Sequence, residues 1–167
     1  SLAVQLNARI VWHWGGDEAA HMEALRRQRL DLVIGGLTAQ SPWKSHAGFT
    51  QPYFHERYHL GAPPGMNMPK SLSGRTVWTA RHPELAGKLR EIGATVRFLQ
   101  SQALPEGLAA APAWQLEAWG FRKGALLHEE EHVMAVAAGE NRWLMTVEDF
   151  LNSRQGISGV LTQETGR

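Results

Sequence analysis

Leu2-Ala3-Val4-Gln5-Leu6-Asn7-Ala8 has the spacing of the last turns of a helix, and Arg9-Ile10-Val11-Trp12-His13-Trp14 is a strand-like run stopped by Gly15-Gly16. Asp17 is placed as an N-cap. Behind it Ala20, Met22, Ala24 and Leu25 supply the apolar face of a helix through Arg29, with Arg26, Arg27 and Arg29 near its negative end. Leu30-Asp31-Leu32-Val33-Ile34 follows as a short, mostly apolar run fed by a helix. That is the pattern of a parallel strand covered on both faces, so the chain is expected to open as (α)βαβ, part-way into a larger unit. The run ends in Gly35-Gly36-Leu37-Thr38-Ala39-Gln40-Ser41-Pro42-Trp43, a polar, glycine-bearing loop at the strand's carboxyl end, where α/β sheets place their ligands.

Beyond Phe49-Thr50-Gln51-Pro52-Tyr53-Phe54 the pattern predicts a strand around Arg57 to Ala62, then a break at Pro63-Pro64-Gly65, extended by Asn67, Pro69, Ser71 and Ser73, as the linker. The βα rhythm then restarts. Thr76 to Thr79 reads as strand, Pro83 to Ile92 as helix with Gly93 as its stop, and Thr95 to Leu99 as strand. Leu104 to Trp119 reads as a helix interrupted near Pro112 and closed by Gly120. His132 to Ala137 fits strand or helix, and Trp143 to Leu151 has the spacing of an amphipathic helix that docks on a core.

Composition narrows the function classes. With 17 Lys+Arg against 16 Asp+Glu in 167 residues, the net charge of +1 lacks the basic excess that phosphate backbones call for, so no nucleic-acid partner is expected. Hydrophobic residues make up 43% and charged residues 20%, a balance that suits a packed domain. No apolar run approaches the roughly 20 residues of a membrane span, and no insertion is expected. Zero cysteines excludes a disulfide framework and a thiolate metal site.

The segment Leu30 to Phe54, LDLVIGGLTAQSPWKSHAGFTQPYF, resembles the family 3 extracellular solute-binding proteins, whose stretch reads D-hydrophobic-G-(M/L)-T, a turn with an arginine, then F-S/T-x-P-Y. Asp31, Gly36-Leu37-Thr38 and Phe49-Thr50-Gln51-Pro52-Tyr53 stand at the family's spacing. Leu72-Ser73-Gly74-Arg75-Thr76-Val77 looks like the L-x-G-K-x-V that opens the second lobe, and His132 to Val136 like the returning hinge strand. The resemblance covers most of the chain. It implies a two-lobe, type II periplasmic-binding-protein-like α/β fold, each lobe a small mostly parallel sheet flanked by helices, apparently lacking its first strand. Residues 1–61 with 139–167 would form the first lobe and 64–131 the second, with hinge strands near 58–62 and 132–137.

The implied function is non-catalytic capture of a small polar solute, amino-acid-like or related, in the interlobe cleft by closure of the lobes. No cofactor is implied. The partners would be an ABC transporter permease or a membrane sensor, in the periplasm after export by a signal that these residues do not include. An uncovered sheet edge would also favour a dimer that completes the missing strand, and a domain that has given up solute binding to serve as an interaction module is an alternative.

A cleft that holds a polar solute needs hydroxyls and backbone donors at strand ends and aromatic surfaces that exclude water. Trp14, Thr38, Ser41, Trp43 and Tyr53 meet that description in the first lobe, with packing roles as the alternative for the aromatic residues. In the second lobe, Arg81 and His82 precede a helix whose free N–H groups attract an anion. Trp43 stands where amino-acid-binding members of the family carry the arginine that grips the ligand carboxylate, with Lys44 beside it. A rival chemistry is written in His128-Glu129-Glu130-Glu131-His132: on a helix, His128 and His132 would face one zinc ion while Glu129 activates its water, making a zinc-dependent hydrolase. Both intervening positions are glutamates where a buried helix asks for apolar residues, and a solvated acidic turn is the competing account. No third ligand is clearly placed: Glu140 and the other histidines, the His55 and His59 pair among them, are the candidates, without support from spacing.

Overall fold

The computed structural model describes residues 1–100 and 103–153. In chain order they form helix α1 (Leu2–Gln5), helix α2 (Glu18–Arg26), a 3-10 turn (Pro42–Ser45), strands β1 (Ala47–Phe49), β2 (Phe54–Ala62) and β3 (Thr76–Thr79), helix α3 (Pro83–Glu91), strands β4 (Thr95–Phe98) and β5 (Ala109–Pro112), helix α4 (Ala113–Ala118), strands β6 (Arg122–His132) and β7 (Ala135–Ala137), and helix α5 (Asn141–Asn152). Two compact units result: Ser1–His55 with Glu130–Arg167, and Glu56–Glu129. Residues 154–167 of the expected first lobe lie outside the described residues. Among the described residues no helix is long and apolar enough to cross a membrane.

In the first unit, Asp17 caps α2 as its position requires, its carboxylate accepting the Ala20 N–H at 2.7 Å. Met22 and Leu25 of α2 then pack with Val33, Leu37, Val133 and Ala135. A second cluster, Met134, Val136, Val147 and Leu151, carries α5. The two clusters are separated by alternation along one extended segment: Val133 and Ala135 face α2's cluster while Met134 and Val136 face that of α5. Leu32, Val33 and Ile34 alternate in the same way, Val33 facing the α2 cluster and Leu32 and Ile34 that of α5.

Pairing in this unit departs from the expected parallel sheet. Its ladder is the antiparallel pair β1–β7, with Ala47 opposite Ala137 and Phe49 opposite Ala135. Leu30 to Ile34 joins it through a single antiparallel bridge, Val33 to Ala135. Arg9 to Trp14, expected as a strand, forms none: a strand exists only through a ladder with a neighbour, and Ile10, Val11, Trp12 and Trp14 stand exposed instead.

The second unit is a five-stranded sheet in the order β4-β3-β5-β2-β6 between two helical layers. β3 runs parallel to both β4 and β5, and β2 pairs antiparallel with β5. Leu85 and Leu89 of α3 cover one face with Leu60, Val77, Leu108 and Ala110, while Leu116 of α4 and Phe121 cover the other with Ala109 and Ala111. The expected helix from Leu104 to Trp119 is corrected here. Ala109 to Ala111 is a fully buried strand in the middle of the sheet, and the helix starts only after Pro112, where a missing N–H costs nothing. Gly120, at φ +69°, ends it as expected.

Two predictions follow from packing and charge. A Cβ at Gly61 would overlap the side chain of Leu116, which is fully buried. Gly61→Ala should therefore cost about 1–3 kcal/mol in urea unfolding, Leu116→Ala about 2–5 kcal/mol, and the double variant should lose clearly less than their sum. On α2, hydrogen bonds from Arg26 and then Arg27 hold the Glu23 carboxyl at about 2, below its ordinary 4.5. A lowered carboxylate stabilises the fold above its unfolded value and loses that contribution as pH falls toward about 2. A carboxyl NMR titration should show Glu23 among the last to protonate, and Glu23→Gln should flatten that part of the stability profile.

Candidate functional site

In the first unit the loop after Ile34 turns through Gly35 and Gly36, both at positive φ (+86° and +70°), a conformation that glycine supplies without strain. This turn brings Thr38 to an antiparallel bridge with His132 at the end of β6. Tyr53 arrives at the same residue, its N–H donating to the His132 carbonyl at 3.0 Å, while its ring packs with the α5 cluster. His132 is buried, meets the Phe54 ring edge-on at 5.7 Å, and holds Nε2 3.5 Å from the Glu130 carboxylate. Thr38 and Tyr53 are thus assembled around His132.

The other expected residues of this unit are occupied differently. Ser41 is buried, its hydroxyl donating to Glu18 at 2.5 Å and accepting the Trp43 N–H at 3.3 Å, which caps the 3-10 turn. Trp43 packs against the α2 cluster, edge-on to His46. Trp14 stacks on Trp12 at 5.2 Å and is 81% exposed.

In the second unit, His82 is the N-cap of α3, and its Nδ1 accepts the Leu85 N–H at 3.1 Å. Pro83 fills the first helical position, where a missing N–H is harmless. Arg81 lies over the Phe98 ring, 5.4 Å from its centroid. Against His82 stand two residues that sequence reasoning did not bring to this place, Tyr58 of β2 and His128 of β6, and Lys88 of α3 reaches His128. The Tyr58 and His82 rings meet at 5.0 Å, His82 and His128 at 5.2 Å, and Tyr58 and His128 at 5.8 Å. His128 is 6% exposed, with Nδ1 2.6 Å from the Lys88 ammonium and Nε2 3.3 Å from the Glu84 carboxylate.

The zinc-hydrolase alternative ends on this geometry. His128 to His132 lies in strand β6, where residues four apart are separated by about 13 Å along the chain. Glu129 points to the opposite face and pairs with Arg57 at 3.0 Å.

No protein-family model matches the chain, and no curated protein sequence matches it. Solved structures do. The GluR0 ligand-binding core complexed with L-glutamate matches at a TM-score of 0.71 and 16% identity, over 99% of this chain and 86% of that one. A protein described as the binding component of an ABC transporter from Wolinella succinogenes, complexed with lysine, matches at 0.74 and 15%, over 97% and 81%. The chain has the fold of the type II periplasmic binding proteins. A third match with this binding-protein fold is the periplasmic VFT2 domain of Bordetella pertussis BvgS, at 0.63 and 16%, over 97% and 79%. The expected fold class therefore holds, although in the first unit the strands pair antiparallel. Trp43, which the resemblance places at the carboxylate-gripping arginine, is half-buried and packs against the α2 cluster.

Removing the α3 cap tests its local role. His82→Ala should cost about 0.5–2 kcal/mol of stability near neutral pH, and His82→Asn, which can accept the same N–H, clearly less; urea unfolding of the two variants measures the difference.

Proposed function

We propose that this protein binds a small polar solute without transforming it. The observation that carries the reading is the match over nearly the whole chain to the substrate-binding protein of an amino-acid ABC transporter and to the binding component of an ABC transporter complexed with lysine. In the first unit Thr38, held by a backbone bridge to His132, is the candidate hydroxyl, with Ser41, Trp43 and Tyr53 as further candidates and Trp14 as an aromatic surface. In the second, His82 and Arg81 stand at the positive end of α3.

Trp43 contributes apolar packing where a guanidinium would grip a carboxylate, so the solute's anionic group, when it has one, falls to the second unit. The natural setting of such a domain is the periplasm or cell surface. Its partner there is an ABC transporter permease or a membrane sensor, and the likeness to the BvgS domain supports the second no less than the first. Pairing of two copies through open sheet edges completes the proposed partners.

Thermal unfolding against a library of amino acids, small carboxylic acids and related polar solutes tests the reading, because a ligand that binds only the native state raises its stability. One solute class should shift the transition; a library without a shift overturns the proposal. With that solute, Thr38→Ala should weaken binding by about tenfold, the loss of one hydrogen bond, and leave unfolding of the free protein nearly unchanged.

A further inference from the structure

The lone pair of His82 caps the positive end of α3, and that of His128 meets Lys88 in the helix's last turn. An ammonium group and a backbone N–H can only donate, so the contacts Lys88 Nζ to His128 Nδ1 at 2.6 Å and Leu85 N–H to His82 Nδ1 at 3.1 Å both require Nδ1 to accept. Each imidazole is therefore neutral, with its proton on Nε2. For His128 that proton points at the Glu84 carboxylate, 3.3 Å away. The three-ring contact with Tyr58 packs both imidazoles on neighbouring aromatic surfaces, and His128 is almost fully buried.

Proton uptake breaks this arrangement by geometry. A protonated His82 presents an N–H to the Leu85 N–H, and a protonated His128 presents one to an ammonium. Both contacts become repulsive. The charged and titratable groups around them are Glu84 and Lys88 from α3, Tyr58 from β2 with Glu56 hydrogen-bonded to its hydroxyl, and Glu130 next on the same face of β6; Arg81 is turned onto Phe98.

We propose that the His82–His128 pair is a proton-operated latch on α3: the neutral His82 caps the helix start and the neutral His128 holds Lys88 on the helix's flank, and protonation releases both contacts and adds cationic donors for an anionic group. The inference rests on the solute-binding reading for its consequence. A solute with an anionic end is held more tightly in mild acid, by up to about tenfold per pH unit for each proton taken up on binding.

The test has two arms on the full chain. Nitrogen-15 NMR of the imidazoles should show, near pH 7.5, proton-free Nδ1 and protonated Nε2 on both His82 and His128. On acidification to about pH 5.5 both rings should take up a second proton, and the protection factor of the Leu85 amide, its exchange corrected for the intrinsic rate at each pH, should fall. A proton on either Nδ1 at neutral pH, or a Leu85 protection factor unchanged by acid, overturns the latch.

In the second arm sulfate, whose charge is constant over this range, is compared with chloride at equal ionic strength by thermal unfolding. Its extra stabilisation should be larger near pH 5.5 than near pH 7.5, and this difference should vanish in the His82→Asn, His128→Gln double variant; equal sulfate effects at both pH values overturn the proposal. A solute library blank at both pH values, with the imidazole and sulfate results as expected, would overturn the solute-binding reading and leave the latch standing.

Discussion

Strand β6 is the constraint on which both halves of the molecule depend. Its period of two sends His128, Glu130 and His132 to one side and Glu129 and Glu131 to the other. On the outward side the glutamates meet the basic residues of β2, with Arg57 against Glu129 and His55 near Glu131. Such exposed pairs contribute little individually. The inward side is what matters: His128 goes to the start of α3, and His132 to the strand end where Thr38 and Tyr53 arrive. Had the same five residues been helical, neither location would hold an imidazole.

A second constraint is close packing in the five-stranded sheet. Alanine is the best helix former in isolation, yet Ala109 to Ala111 is strand. Small side chains there let α3 and α4 approach the sheet from opposite faces, and Gly61 on neighbouring β2 leaves the space that Leu116 fills. Burial between two helical layers outweighs a propensity difference that amounts to less than about 1 kcal/mol per residue. Pro112 then marks the strand-to-helix change, a role that its ring permits and that a continuous helix would not.

Glycine and polar residues at strand ends are local signals, and Thr38 after Gly35-Gly36 and His82 before Pro83 were read from them as candidates. Their neighbours could not be read so, since Tyr58 and His128 are brought to His82 by sheet order and helix docking across long stretches of sequence. Ser41 shows the converse. Its place in a polar loop was correct as read, but its hydroxyl is engaged by Glu18, a partner 23 residues earlier in the chain.

By itself the sequence determined the elements with strong local grammar: the Asp17-capped helix, β3-α3-β4 with its proline start and glycine stop, and the amphipathic α5. Capping, helical periodicity and backbone limits at proline and glycine act within a few residues, so they can be read in order. Tertiary structure alone decided that Arg9 to Trp14 has no ladder, that Leu30 to Ile34 pairs through one bridge, and that the two histidines of an apparent zinc motif serve separate clusters. Those outcomes depend on which distant backbone or side chain supplies a hydrogen-bond partner, a quantity that apolar spacing along one segment does not contain.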